Sequence, residues 1–395
     1  MDFASDSKTW VQTMAMIILL GGSSASAEVV GWRMSGDGLY PQARPPASWS
    51  AAQNVVWKTP LNAWSNASPI LIKERSLVIV LSEPDTVVAV DTGTGDIVWQ
   101  DSLVDVTKGR VKAHQSNGWT SATPVSDGSR LFTVLGNGVV AAHSVDGERL
   151  WARSLQTPEH RWGHSASPLL ASGRLIVHVV DLIGLDPATG EEIWRLESEP
   201  KWGSPVATQL GQTEVVLTPA GDLVRAADGH HLAADLGNLD YATPVVRDGV
   251  AYFIEKRATA VRLPDREGDA FETLWTSRLE GSRHYASSLV HDGLIYAVSR
   301  EQKFSILDAS SGEVLHRRTL NLDAESGSNS AYPSISLGGD KIYLSVQNGT
   351  TVVLEPGRSY VEVARNRVEG FRSTPIFDGE RIYVRSFEHL YCFGS

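Results

Sequence analysis

Two histidines four residues apart in HRWGH, His160 and His164, and a single cysteine, Cys392, are the residues whose types could do chemistry most directly. An i,i+4 histidine pair binds zinc when a helix stacks the imidazoles on one face. Trp162, Gly163 and the strand-like run after His164 argue against that helix, so no metal is expected here. One cysteine cannot close an intrachain disulfide, and Cys392 inside LYCF reads as a small core residue. The glycine-rich AVDTGTGDIVW (Ala89 to Trp99) would cradle a phosphate only if a helix followed, but a Trp-bearing strand follows. No nucleophile elbow of the G-x-S-x-G type is present either. No residue is assigned a catalytic role.

A second group is richer. The residues just before a set of Ser/Thr-Pro pairs include Trp64, Trp119, His164, Trp202, Tyr241, His284, Tyr285 and Arg372. Aromatic rings interleaved with donors and charges are what line a concave site for a small molecule or a peptide. Sugar faces also stack on indoles, so Trp64, Trp119 and Trp202 allow a carbohydrate. These eight residues are the candidate binding set, and what positions them is legible in the rest of the chain.

The Ser/Thr-Pro marker recurs with an apolar run behind it: NASPILI, SATPVSD, SASPLLA, WGSPVAT, YATPVVR, YASSLVH, YPSISLG and RSTPIFD. The marker positions Pro69, Pro124, Pro168, Pro205, Pro244, Ser288, Pro333 and Pro375 lie 37 to 55 residues apart. A strand-rich repeat of that length is the signature of a β-propeller. Each copy reads as four short strands, with the second made of alternating β-formers such as LVIV, AYFI and RIYV. In Ala89 to Trp99, Asp91 ends the third strand, Thr92 to Gly95 turn, and Ile97 to Trp99 begin the fourth. Asp binds backbone N–H groups two residues on and Gly accepts positive φ, which fixes the hairpin. The Trp then covers the neighbouring blade.

The last copy ends SFEHLYCFGS, one strand short, while NVVWKTPL (Asn54 to Leu61) precedes the first copy and carries Trp57 at the Trp position. Pairing these two closes the ring and removes its free edges. The expected fold is therefore all-β, an eight-bladed propeller of four-stranded antiparallel blades over 54–395, closed by an N-terminal strand in the last blade. The Pro/Gly-rich segment 28–53 is expected to strap the outside. Residues 1–27 have Lys8, an apolar run from Trp10 to Leu20 and the ending Ala25-Ser26-Ala27, the order of a cleaved secretory signal peptide. The run is too short to span a bilayer. A net charge of −11 without a Lys/Arg tract makes nucleic acid a poor partner. An exported monomer, in the periplasm or outside the cell, is expected.

The pattern A-x-D-x-x-T-G-x-x-x-W, complete in Ala89–Trp99 and nearly so in Gly184–Trp194, resembles the tryptophan-docking motif of the pyrroloquinoline-quinone (PQQ)-like propeller repeat family. That resemblance implies the quinoprotein alcohol dehydrogenase-like fold and one of two functions. Its dehydrogenases use PQQ with calcium, an adjacent cysteine pair, Glu and Asn ligands and a catalytic Asp. With Cys392 alone the cysteine pair is impossible. The other branch resembles BamB, a non-catalytic propeller that binds proteins, although this chain has no lipidation cysteine. The resemblance thus favours a non-enzymatic scaffold for a protein or cell-envelope ligand, with no cofactor. A PQQ oxidoreductase or a carbohydrate-binding propeller stands as the alternative.

Overall fold

A computed structural model describes residue 1 and residues 28–394, apart from 108–113, 115, 159, 161 and 323–328. The expected signal peptide thus lies outside the described residues. Eight sheets are arranged in chain order. Blade one consists of Ile70–Ile72, Leu77–Ser82, Thr86–Asp91 and Ile97–Ser102, paired antiparallel in sequence order. Blades two to seven repeat it over residues 125–154, 169–196, 206–233, 245–278, 289–319 and 336–367.

The second and third strands of a blade are buried on both faces, and their period-two alternation sorts side chains between the two neighbouring blades. From blade one, Val78, Val80, Val88 and Val90 pack with Trp57, Tyr383 and Tyr391 of blade eight. The intervening Ile79, Leu81, Val87 and Ala89 pack with Leu131 and Val145 of blade two. At about 1.5–3 kcal/mol for each fully buried aliphatic side chain, these seams are what hold the ring.

The Asp-turn-Trp motif works as a joint between blades. Asp91 Oδ1 accepts the N–H groups of Gly93 and Thr94, each at 2.8 Å, and so shapes the turn. The indole N–H of the preceding blade donates to the carbonyl just after the Asp position. Trp57 reaches Thr92 O at 2.9 Å, Trp99 reaches Val145 O at 2.9 Å, and Trp151 reaches Pro187 O at 3.1 Å. Trp194 and Trp275 do the same to Ala226 O and Ala309 O. The turn glycine is needed for contact as well as for φ: a Cβ on Gly95 would stand 2.7 Å from the Trp57 ring.

The closure is as expected. Val55–Pro60 pairs antiparallel with His389–Phe393 and completes blade eight, with Trp57 opposite Cys392 and Lys58 opposite Tyr391. Cys392 is fully buried, as its apolar setting implied, and burial pushes its thiol up to about 11.

A collar of hydroxyls closes the inner ring. The backbone N–H of Ser68 donates to Thr123 Oγ1, Thr123 to Ser167, Ser167 to Ser204, and Ser204 to Thr243, all at 2.9–3.0 Å. Thr243 continues to Ser287, Ser287 to Ser334, Ser334 to Thr374, and Thr374 back to Ser68. This is the reason for the small hydroxyl residue in every marker: it accepts a buried amide that would otherwise go unpaired. In copy seven the collar residue is Ser334, so the marker expected at Pro333 lies two residues later, at Ser334-Ile335. The hydroxyl, and not the proline ring, is the conserved requirement of the geometry.

Segment 28–53 corrects the expectation of an outer strap in its first half: residues 29–40 cross the central channel, and the later stretch reaches the outside, where Ser50 bridges Arg367 on the outer strand of blade seven. Val30 pairs with Ser126 of blade two, and Arg33, fully buried, donates to Ser288 O at 3.1 Å and to Ile335 O. Leu39–Tyr40 then adds a fifth, parallel strand to Ser336–Gly338 of blade seven. Trp49 is buried against Tyr343 and Phe393, between blades seven and eight. Apolar side chains and a guanidinium seeking carbonyls are better satisfied in the channel than on the outside. Burial lowers the Arg33 guanidinium to about 10.

Candidate functional site

The chain bends just before most collar residues, at Ala122, Gly203, Ala242, Ala286, Pro333 and Ser373, so neighbouring side chains part into different surroundings. The residues two places before the collar hydroxyl are Asn66, Ser121, Ser165, Trp202, Tyr241, Tyr285, Tyr332 and Arg372, and all eight line one cavity at the channel mouth. Residues one place before it are small and buried, for example Ala67, Ala122, Ala166, Ala242 and Ala286. Carboxylates from the loops after the second strands fix several of these entries. Glu255 accepts the N–H groups of Tyr241 and Ala242 at 2.7 and 2.8 Å. Glu83 accepts those of Trp119 and Thr120 at 3.0 and 2.6 Å. Burial pushes both carboxyls up, and the hydrogen bonds partly offset it.

The cavity measures about 680 Å³, and the collar forms its inner rim. Trp32, carried on the segment that crosses the channel, forms the floor and has the Arg33 guanidinium 5.2 Å from its ring centre. One wall is a ladder of tyrosines and arginines. Arg372 lies 4.3 Å over Tyr332, Tyr332 stacks on Tyr285 at 4.6 Å and 10°, and Tyr285 meets Tyr241 edge-on at 5.0 Å. Arg283 joins it, donating to the Tyr285 hydroxyl at 3.3 Å and lying 5.5 Å from the Tyr241 ring centre. The opposite wall has Trp162 and Trp202, backed by His114 at 3.6 Å and edged by His160 at 5.5 Å. Between the walls, Asn66 donates to Asn117 O and Ser121 Oγ, each at 3.1 Å.

Among the described lining residues there is no Asp or Glu. Neither Arg283 nor Arg372 forms an ion pair with a described carboxylate. Arg372 donates to Ser116 O at 2.6 Å and leaves its Nε without a partner. The Tyr332 phenol is pushed up by burial, against the pull of Arg372.

Of the candidate residues, Trp202, Tyr241, Tyr285 and Arg372 are brought together at the mouth. The other four are not. His164 and His284 lie three places before their collar residues and turn into the seams, 4% and 1% exposed. Burial lowers both imidazoles to about 4. Trp119 and Trp64 lie four places before; Trp119 packs on Leu103, Leu135 and Val139, and Trp64 stays half-buried outside the cavity. Sequence reasoning missed Trp32, Tyr332, Arg283 and the cavity role of His160. Tyr332 escaped because the seventh marker was placed two residues early. The long loop that leads from blade one to Trp119 reaches the cavity through Ser116 and Asn117.

In HRWGH, His164 Nε2 lies 2.7 Å from Ala166 O of its own loop, while His160 lines the cavity. The described metal-type cluster, Glu369, Glu388 and His389, lies off the cavity. Burial raises the Glu369 carboxyl, but bonds from Tyr391, His389, Lys58 and Ser386 outweigh it and hold it at about 2. Nor do the mouth residues fit PQQ with calcium. A protein calcium site takes oxygen ligands that include carboxylates, which the described lining does not offer. The one cysteine lies buried in blade eight.

No curated protein matches the chain. Among solved structures it is similar to BamB from Moraxella catarrhalis, at 17% identity and a TM-score of 0.64, covering 86% of this chain and 97% of that one. Quinohemoprotein alcohol dehydrogenase from Comamonas testosteroni is similar at 12% identity and a TM-score of 0.62, over 90% of this chain and 78% of that one. A europium-containing methanol dehydrogenase gives 10% identity and 0.64, over 86% and 93%. At such identities the likeness speaks to the fold. The sequence itself matches the family described as outer membrane protein assembly factor BamB over residues 83–181 and 179–394. With that match over most of its length, and a Trp-docked eight-bladed ring beneath it, the chain belongs to the BamB-like family of PQQ-like repeat propellers.

Proposed function

We propose that the protein is an exported, non-catalytic propeller, acting without a cofactor as a binding scaffold in the cell envelope and taking its ligand at the channel mouth. One observation carries this reading: the same position in all eight blades converges on a single cavity of about 680 Å³. That size lies within the range of small-molecule sites, roughly 300–1,000 Å³. The walls supply aromatic faces and cations but no activated nucleophile. Ser165 Oγ donates to Trp202 O and Ser121 Oγ to Asn117, so neither is paired with a base. Export is supported by the order Lys8, the apolar run and Ala25-Ser26-Ala27. The family's namesake is an outer-membrane assembly factor, which agrees with an envelope role. Among the described residues no helix is long and apolar enough to cross a membrane.

The test is a thermal-shift series with fractionated envelope material, run on the wild type and on Trp202→Ala/Tyr285→Ala. A fraction that raises the wild-type midpoint by several degrees, and leaves the double variant unmoved, supports the mouth as the binding site. Equal shifts in both proteins would place binding elsewhere. Turnover of an alcohol in the presence of PQQ and calcium would overturn the non-catalytic reading.

A further inference from the structure

We infer that the mouth is a receptor for an acidic carbohydrate, a sugar ring carrying a carboxylate; this rests on the mouth being the binding site, as proposed above. Three independent features of the cavity point to the same chemistry.

The first is charge. The chain carries a net charge of −11, yet the described lining holds Arg283 and Arg372 and no carboxylate. Two guanidiniums on one wall, neither in an ion pair with a described carboxylate, match a carboxylate, which they bind through forked donors. The second is shape. Flat rings stand on the floor and on the wall opposite the tyrosine ladder, in Trp32 and Trp202. The C–H face of a pyranose packs on such rings, because its slightly positive hydrogens meet the negative face of the π system.

The third is the collar. Each collar oxygen accepts a neighbouring backbone N–H, so its own proton is left to donate. No acceptor for it exists among the described residues, and all eight hydroxyl residues are more than nine-tenths buried. A ring of O–H donors around the inner rim calls for a ligand dense in acceptor oxygens. A neutral sugar would leave the guanidiniums unpaired, and a small anion would leave the aromatic faces uncovered. A uronic acid satisfies all three.

Calorimetric titration of the mature protein with digalacturonate, with the neutral galactose disaccharide and with citrate separates the components. Digalacturonate is expected to bind at least tenfold more tightly than either control and to weaken with added salt. Arg372→Gln and Arg283→Gln should each weaken it at least tenfold; among the described residues the exposed Arg283 side chain touches just the Tyr285 hydroxyl and the Tyr241 ring, so its variant guards against a folding defect in the other. Equal binding of the neutral disaccharide, silent to both arginine variants but lost in Trp202→Ala, would overturn the acidic component and leave the mouth as the site. Citrate binding as tightly as digalacturonate would overturn the carbohydrate component. If none of the three binds, the inference falls, and the envelope-fraction experiment alone decides whether the mouth binds anything.

Discussion

His284 and Tyr285 are adjacent in sequence and do opposite things. Tyr285 stands at the mouth and His284 is sealed in the seam, with its Nδ1 unpartnered. His164 shares that fate, and burial brings both imidazoles from the ordinary 6.5 to about 4. The unfolded chain therefore takes up these protons near pH 6.5, while the folded chain resists until about 4. Their contribution to stability is complete above about 6.5 and is lost as pH falls through that window. At 1.36 kcal/mol per pKa unit, each accounts for on the order of 3 kcal/mol. Thermal midpoints measured from pH 8 to 4 should stay level to about 6.5 and then drop, and His284→Leu should flatten the drop. A wild-type profile level down to pH 4.5 would contradict the assignment. Glu369, held at about 2, acts lower, between about 4.5 and 2, so the two effects separate. The collar is testable at the same scale. Ser204→Ala leaves the buried N–H of Ser167 without its acceptor, and should cost about 1–3 kcal/mol in denaturant unfolding.

Hairpin turns are where one blade grips the next, and two glycines with the same backbone angle separate grip from turn. Gly190 has φ +70 and Gly249 φ +72. A Cβ at Gly190 would stand 2.7 Å from the Trp151 indole, whereas one at Gly249 would meet nothing within 4 Å. Gly249→Ala should therefore show left-handed strain alone, about 1–2 kcal/mol. Gly190→Ala must also push the indole off its seat and should lose roughly 1–3 kcal/mol more. Equal losses from chemical denaturation would mean that the Trp docks loosely. Copies without a Trp show the seam tolerating a weaker joint: blade six uses His316, whose Nε2 has no partner among the described residues.

For the whole molecule the question is what keeps an eight-part ring from opening. Blade eight draws its outer strand from residues 55–60, and the collar's last bond joins Thr374 to Ser68, 306 residues apart. Deleting residues 54–61 removes Trp57 from the seam and frees the edge of His389–Phe393, a template for aggregation. That variant is expected to be insoluble or to melt far below wild type. Deleting 28–41 opens the channel but leaves closure intact, so it should melt between the two. An unchanged melting curve for the 54–61 deletion would refute closure by the paired ends.

The period, the Asp-Gly turns, the docking tryptophans and the closing strand were determined by the sequence itself. Each depends on chemistry within about ten residues or on a pattern repeated eight times. Trp57 stood out because it occupied the motif's last position before any copy had begun. The path of 28–53, the register of the seventh collar residue and the choice of which loop aromatics face the mouth were decided only in three dimensions. Arg33 finds its carbonyls 255 and 302 residues away, and no local pattern announces them. Tyr332 and Arg372 become neighbours only because adjacent blades turn the same loop position toward one axis. A strand's alternation says that two sets of side chains face opposite ways, and only the closed ring determines which set meets the channel.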